Sequence, residues 1–210
     1  TLNLDIDLLK KTDVSILFNP SEKDIYPTDS NLIYKMPMIS NQLCGKSRPG
    51  HFKGVITVID RLFKLIKPSH AIFGKKDYQQ LYLIKRFIHD SKLPIKIIDA
   101  PTIRDINNLA LSSRNNLLSK KNIVSAKGLY EQLEICIESI LNGVKIKDAE
   151  RESKAKLAKA GWKLDYFEIR RQADLKKPSY NDTKLVILGA ASLSNVRLID
   201  NIEFCIPTTN

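Results

Sequence analysis

The sequence predicts an α/β protein in which a parallel sheet covered by helices is followed by a smaller α+β domain. Short apolar runs that do not alternate with polar residues are typical of strands buried on both faces. In the first half these runs are separated by segments of helical period, which favours a parallel sheet. Beyond residue 115 helical patterns come first and strand patterns follow, which favours a separate α+β unit. We place the boundary near residue 103, giving domains of residues 1–103 and 104–210.

The first half is predicted from five segments: a strand at 14–18, a helix at 55–67, a strand at 70–73, a helix from 78 to 91 and a strand at 94–99. Six apolar residues of the first helix share one face, and Pro68 ends that pattern. Asp77 is the candidate N-cap of the second helix. We expect helices on both faces of the sheet, since strands of this composition are buried on both faces.

The second half is predicted from five further segments: a helix capped by Ser119 that runs to about Asn142, a helix at 148–160, and strands at 164–170, 184–191 and 196–201. Gly143 supplies a stop for the first of these helices. Helices followed by strands are typical of a small α+β unit that is distinct from the first domain.

Composition excludes several classes of protein. The 210 residues are 43% hydrophobic, which is typical of a globular chain, and no apolar run approaches the ~20 residues that span a bilayer. Three widely spaced cysteines argue against a disulfide framework or a zinc site and favour the cytoplasm. The net charge of +11 attracts polyanions, but the lysines are scattered without interleaved aromatic residues. Nucleic-acid binding is therefore disfavoured.

A polar segment, FGKKDYQQ at residues 73–80, directly follows a predicted parallel strand. Ligands of open parallel sheets bind beyond the carboxyl ends of the strands. Gly74 allows close approach of a ligand, while Lys75 and Lys76 add positive charge to the start of the next helix, where free N–H groups attract anions. The alternative is a solvated turn that only leads into the helix.

Two further polar clusters occur at residues 109–115 (LALSSRN) and 48–52 (RPGHF). The serine hydroxyls and the Arg114 guanidinium suit phosphate oxygens, although a serine-capped loop before a helix has the same composition. Arg48 and His51 flank a Pro-Gly turn, and either residue alone is typical of a protein surface. The function of each cluster stays open on these grounds.

Taken together, the clusters resemble the pantothenate synthetase (pantoate–β-alanine ligase) family. The resemblance covers nearly the whole chain and rests on six ordered stretches: FNPSEKDIYP, GKSRPGHFKGV, FGKKDYQQL, PTIRD, LALSSRN and VRLIDN. It implies a Rossmann-like nucleotidyltransferase sheet, a small C-terminal domain that closes over the site, and a homodimer. The family's His-x-Gly-His motif belongs upstream of residue 1, so we expect the N-terminal part of the sheet to be missing from this sequence.

The resemblance also implies a reaction in two steps. The pantoate carboxylate attacks the α-phosphorus of Mg²⁺-bound ATP, which gives pantoyl adenylate and pyrophosphate. The amine of β-alanine then attacks the acyl carbon and expels AMP, so the substrates are pantoate, β-alanine and ATP. No covalent enzyme intermediate is implied, and catalysis would depend on positioning and on neutralising phosphate charge.

The resemblance implies nucleotide-binding roles for Gly74, Lys75, Lys76, Asp77, Ile103, Leu111, Ser112, Ser113 and Arg114. Within that set, Lys76, Ser112, Ser113 and Arg114 are the implied catalytic residues. Lys76 is expected to contact phosphate and Asp77 to accept from the ribose hydroxyls. Gln80 is expected to bind pantoate, with Arg48 and His51 at the border of that pocket and of the dimer. Asp5 is a candidate near the metal.

Two residues depart from the family pattern. Lys75 stands where the family usually has Glu, which adds positive charge beside the expected phosphates. Asn108 stands where the family has Gly, and Asn tolerates a positive φ better than most residues. A second hypothesis is a catalytically silent nucleotide-binding or dimerisation module derived from the same fold. The upstream residues would discriminate between the two hypotheses, because a silent copy would lack the His-x-Gly-His motif.

Overall fold

The computed structural model describes residues 2–26 and 34–207. Its first part contains helices α1 (Leu2–Leu9), α2 (Glu22–Ile25), α3 (Cys44–Ser47), α4 (His51–Ile66) and α5 (Tyr78–Asp90), with strands β1 (His70–Gly74) and β2 (Lys96–Ala100). Within these residues no helix combines the length and the apolar character that crossing a membrane requires. The predicted helix at 55–67, strand at 70–73, helix at 78–91 and strand at 94–99 are all present, as α4, β1, α5 and β2, with bounds shifted by a few residues.

Strands β1 and β2 form the predicted parallel pair, in which Ile72 lies opposite Ile98. Helices α4 and α5 pack with Ala71, Phe73 and Ile97 on one face. The side chains of Ile72 and Ile98 point to the other face and are 68% and 42% exposed. Among the described residues, helices therefore cover one face of this pair, and the expectation that they cover both was wrong.

The predicted strand at 14–18 was also wrong. This segment has no regular secondary structure, and Ile16 is 84% exposed. The described parallel sheet contains β1 and β2 alone, and neither strand pairs with residues 14–18. β-branched composition favours a strand only where a neighbouring strand supplies hydrogen bonds and a surface to pack on.

The second part contains helices α6 (Lys120–Ala126), α7 (Gly128–Leu141) and α8 (Ile146–Lys159), followed by strands β3 (Lys163–Arg171), β4 (Lys184–Leu193) and β5 (Val196–Cys205). The strands form an antiparallel sheet in the order β3–β4–β5. Ser119 caps α6 as predicted, since its hydroxyl accepts a hydrogen bond from the Asn122 N–H at 3.2 Å. The single helix predicted to run to about residue 142 is instead two helices that meet at Lys127.

Strand β4 contributes to two hydrophobic cores. Leu185 and Ile187 pack with α7 and α8, whereas Val186 and Leu188 pack with α4 and α5. Successive side chains of a strand point to opposite faces of its sheet, so the antiparallel sheet is covered on both sides. Both cores include residues of β4, so the cores do not divide the chain at residue 103. The domain boundary near that residue stays a prediction.

Candidate active site

The three polar clusters meet at two adjoining cavities. Arg48, His51, residues 76–80 and Arg114 are among those that line the first cavity. The second cavity is lined by residues of the 111–114 loop together with Lys76 and Asp77. The clusters are far apart in the sequence, and the fold brings them together beside the carboxyl end of β1.

The predicted site residues divide into two groups. Those that line at least one cavity are Arg48, His51, Lys76, Asp77, Gln80, Leu111, Ser112 and Arg114. Those that are not among the described lining residues of either cavity are Asp5, Gly74, Lys75, Ile103 and Ser113. The roles that the resemblance implies for both groups stay predictions.

The loop after β1 carries the first of these clusters. Gly74 ends the strand with φ −73° and ψ 136°, so the turn itself does not require glycine. Apart from Gly74 and its two chain neighbours, no described heavy atom lies within 4 Å of the position that a Cβ would take there. Residues Lys75–Asp77 form a 3₁₀ turn that leads into α5. Asp77 takes the predicted N-cap position of α5, but its carboxylate makes no capping hydrogen bond to the described helix and lines both cavities instead.

Lys76 links this loop to the loop at 109–115. Its ammonium donates hydrogen bonds to the carbonyl oxygen of Leu111 at 2.8 Å and to that of Ala110 at 3.4 Å. Burial lowers the pKa of Lys76, since removal from water disfavours the charged form. The cation therefore sits between two loops, at the junction of the two cavities.

The 109–115 loop has a defined backbone. Asn108 has φ 64°, in the left-handed region, which confirms the expectation that this residue tolerates a positive φ. The Ser112 hydroxyl accepts a hydrogen bond from the Arg114 N–H at 3.2 Å and so begins the 3₁₀ helix Ser113–Leu117. Ser112 is therefore a cap, as the structural interpretation of the serines predicts, and it also lines the second cavity.

The wall of the first cavity is fixed by a buried side chain, Gln79, which is 4% exposed. Its amide nitrogen donates to the carbonyl oxygens of Ile39 at 2.7 Å and Gln42 at 2.9 Å, and its oxygen accepts from the Cys44 N–H at 3.0 Å. These contacts hold the segment that leads to Arg48. Gln79 therefore supports the wall that it shares with the neighbouring Gln80.

The antiparallel sheet supplies cavity residues that the sequence interpretation missed. Arg197 of β5 lines both cavities and Tyr166 of β3 lines the first. The Arg197 guanidinium donates to Asp165 at 2.6 Å and to the Cys44 sulfur at 3.4 Å, and the Tyr166 hydroxyl lies 3.0 Å from that sulfur. The stretch VRLIDN, which contains Arg197, is one of the six stretches that carry the family resemblance, but the sequence alone does not indicate which cavity β5 faces.

Strand β5 also holds the loop after β1. Asp200, which is 5% exposed, accepts two hydrogen bonds from the Arg104 guanidinium, at 2.6 and 2.8 Å. The Asn201 side chain donates to the carbonyl oxygens of Lys75 and Lys76, each at 3.0 Å. The C-terminal sheet therefore contacts the backbone of the loop that carries the predicted phosphate contact.

The charge of the two cavities suits anions. Among the described residues, the cationic side chains that line them are Arg48, Lys76, Arg114 and Arg197, of which Arg197 is paired with Asp165. Two carboxylates oppose them: Asp77, which lines both cavities, and Asp200, which is neutralised by Arg104. Guanidinium and ammonium groups in a partly dehydrated cleft bind phosphate and carboxylate oxygens through charge-assisted hydrogen bonds. The lining therefore offers cationic donors to anionic oxygens.

We predict that His51 is neutral at pH 7. Burial, and then the Arg48 guanidinium, lower the pKa of His51 below its ordinary value of about 6.5. Because the unfolded chain then binds this proton more readily than the folded one, the contribution of His51 to stability is full above pH ~6.5 and is lost as the pH falls. An NMR titration of the ring C2 proton, assigned with His51→Gln, is expected to give a midpoint below about 6.5. A midpoint at or above that value would contradict the prediction.

The described residues contain no group of three or more His, Cys, Asp or Glu side chains arranged to hold a metal ion. Asp5 lies on α1, which has no buried residue in its described range. Its role near a metal stays a prediction.

Comparison with known proteins identifies the family. The sequence model described as "Pantoate-beta-alanine ligase" matches residues 1–203. The chain is 42% identical over 206 residues to "Pantothenate synthetase" of Shewanella loihica, covering 97% of this chain and 73% of that protein. It is 42% identical over 209 residues to the protein of the same name from Neisseria meningitidis serogroup B, covering 99% of this chain and 75% of that protein.

Solved structures agree with this result. The crystal structure of pantothenate synthetase from Thermus thermophilus has a TM-score of 0.88 and 34% identity, covering 96% of this chain and 74% of that one. Pantoate-beta-alanine ligase from Francisella tularensis, complexed with beta-gamma ATP and beta-alanine, has a TM-score of 0.71 and 39% identity, covering 96% and 69%. The predicted resemblance, fold class and enzyme class are confirmed. The chain belongs to the pantoate–β-alanine ligase family.

Proposed function

We propose that this chain carries a site at which pantoate and β-alanine are condensed with consumption of ATP. The cationic lining of the two adjoining cavities is the observation that carries this proposal. In the first step a pantoate carboxylate oxygen forms a bond to the α-phosphorus, and the bond to pyrophosphate breaks. In the second step the β-alanine amine bonds to the acyl carbon, AMP leaves with the electron pair of the C–O bond, and the amine loses a proton.

The second cavity is the proposed phosphate site. Lys76 and Arg114 neutralise charge on the phosphates, with the Ser112 hydroxyl as a further donor. Asp77 accepts from the ribose hydroxyls. The first cavity is the proposed pantoate site, where Gln80 donates to the substrate and Arg48 faces its carboxylate. The shared position of Lys76 between the cavities supports its assignment to the reacting α-phosphate.

The chemistry of the site also fits Mg²⁺ that arrives with the nucleotide. Mg²⁺ usually keeps several waters and binds one or two carboxylates plus substrate phosphates. Of the two carboxylates that line the cavities, Asp77 is assigned to the ribose hydroxyls and Asp200 is bound to Arg104, so the substrate phosphates would be the main ligands of the ion. When bound, the ion supplies neutralisation of the phosphate oxygens.

We also propose a cytoplasmic homodimer, and gel filtration with light scattering tests its oligomeric state.

The test uses the complete gene product with ATP, pantoate and β-alanine. We expect AMP to be released only when all three substrates are present. With ¹⁸O in the pantoate carboxylate, one label is expected in the phosphate of AMP, since the adenylate mechanism breaks the acyl C–O bond. Label that appears in orthophosphate instead would contradict the adenylate step. ATP binding without any β-alanine-dependent AMP would favour the catalytically silent module.

A further inference from the structure

We propose that Lys75 is a positioning residue, and that its contact with Glu203 of β5 holds the loop after β1 in the place where Lys76 and Asp77 meet the nucleotide. We call Lys75, Tyr78, Asn201 and Glu203 the clasp. The proposal rests on the proposed function, because it assigns the clasp to the phosphate site. It differs from the role that the resemblance implies for Lys75, which is direct contact with the nucleotide.

The Glu203 carboxylate joins two groups of the loop and of α5. One oxygen accepts from the Lys75 ammonium at 2.6 Å, and the other accepts from the Tyr78 hydroxyl at 2.7 Å. Tyr78 is 8% exposed, whereas Lys75 and Glu203 keep 33% and 34% of their side-chain surface in water. The lysine is therefore directed toward β5, and it is not among the described residues lining the two cavities.

The backbone of the same loop is held by the same strand. Asn201, which is 7% exposed, donates to the carbonyl oxygens of Lys75 and Lys76, each at 3.0 Å. The turn Lys75–Asp77 is three residues long. A displacement of Lys75 therefore moves the backbone of Lys76, and with it the ammonium at the junction of the cavities. A misplacement of about 1 Å at a reacting group is enough to reduce a rate strongly.

The charges of Lys75 and Glu203 also favour this contact. Hydrogen bonds from Lys75 and Tyr78, together with the lysine charge, lower the pKa of Glu203 against the opposing effect of its burial. The carboxylate is thus charged at neutral pH and attracts the ammonium. Removal of Lys75 leaves Glu203 with the tyrosine alone. Removal of Glu203 frees the Lys75 side chain to reach other anions.

The decisive experiment is a charge exchange in the complete gene product. Because a partly exposed ion pair contributes modestly, we expect Lys75→Met and Glu203→Gln each to raise KM for ATP about five-fold. Lys75→Glu, which places two carboxylates together, is expected to raise KM for ATP more. The exchanged pair Lys75→Glu/Glu203→Lys is expected to return KM for ATP most of the way to its original value. KM for pantoate is expected to change little, because Lys75 does not line the first cavity.

A direct phosphate contact by Lys75 would give a different pattern. Glu203→Gln would then be harmless, Lys75→Met would weaken ATP binding, and the charge exchange would fail to restore it. That pattern would overturn the proposal. The control is Lys127→Glu. Lys127 forms an ion pair with Glu131 of α7 whose exposure is similar to that of the Lys75–Glu203 pair, and reversing the charge of Lys127 is expected to leave both KM values unchanged.

A second measurement does not depend on the reaction. Hydrogen–deuterium exchange of the amides of residues 74–78, without substrates, is expected to accelerate in Lys75→Glu and to return to the original rate in the exchanged pair. Unchanged exchange in Lys75→Glu would overturn the proposal. A protein that failed to form pantothenate but gave this exchange pattern would refute the proposed function and leave the clasp as a contact that fixes the loop.

Discussion

Replacing Lys76 with Ala is expected to lower kcat/KM for ATP ~100-fold, the effect of removing one preorganised donor to a charge that develops in the transition state. The ammonium lies at the junction of both cavities, half-buried and directed by two carbonyl oxygens. Without it, the phosphates lose a cation whose position was set before the substrate arrived. A lysine with a merely structural role would give a different balance of effects.

That balance is measured by comparing kinetics with urea unfolding of the same variant. Loss of the two hydrogen bonds to Ala110 and Leu111 is expected to cost only about 1 kcal/mol of unfolding free energy. Lys121→Ala, at an exposed position on α6, is the control and is expected to change neither quantity. If Lys76→Ala loses as much stability as transition-state binding, or keeps full activity, the phosphate assignment is wrong.

Asp200→Ala is expected to give the largest loss of stability, about 3–5 kcal/mol, because it leaves the mostly buried Arg104 guanidinium without its anion. Arg104 is held between the two oxygens of Asp200 and the face of the Tyr130 ring, 3.8 Å from its centroid. The backbone N–H of Asn201, which donates to Asp200 at 2.8 Å, also loses its acceptor.

Urea unfolding of three variants separates the contributions. Asp148→Ala removes an ion pair with Arg151 that is largely exposed, and it is expected to cost less than about 1 kcal/mol. The double variant Arg104→Leu/Asp200→Leu is expected to recover part of the loss, because no unpaired charge is then buried. Equal effects of Asp200→Ala and Asp148→Ala would contradict the proposed importance of the buried pair.

The sequence was sufficient for the part of the site that depends on local order. Apolar runs and helical periods predicted β1, α5 and β2, and the rule that ligands bind beyond the carboxyl ends of parallel strands pointed to residues 73–80. The lining of the cavities by Lys76, Gln80 and Arg114 agrees with that prediction.

The rest depended on contacts between distant residues. The direction of Lys75 is set by Glu203, 128 positions away, and composition gives no sign of that partner. Arg197 reaches both cavities only because β5 lies beside them. Residues 14–18 have the composition of a strand, but a strand also requires a neighbour, which is a property of the folded chain and not of the segment.

Strand β4 gives the molecule a property that neither half has alone. Its alternating side chains close one core with Leu185 and Ile187 and the other with Val186 and Leu188. If β4 separated from either core, water would reach that core. Unfolding of one core therefore exposes apolar surface of the other. The two halves of the chain are therefore expected to unfold in one cooperative transition, and damage to the packing of α7 is expected to weaken binding at the loop after β1.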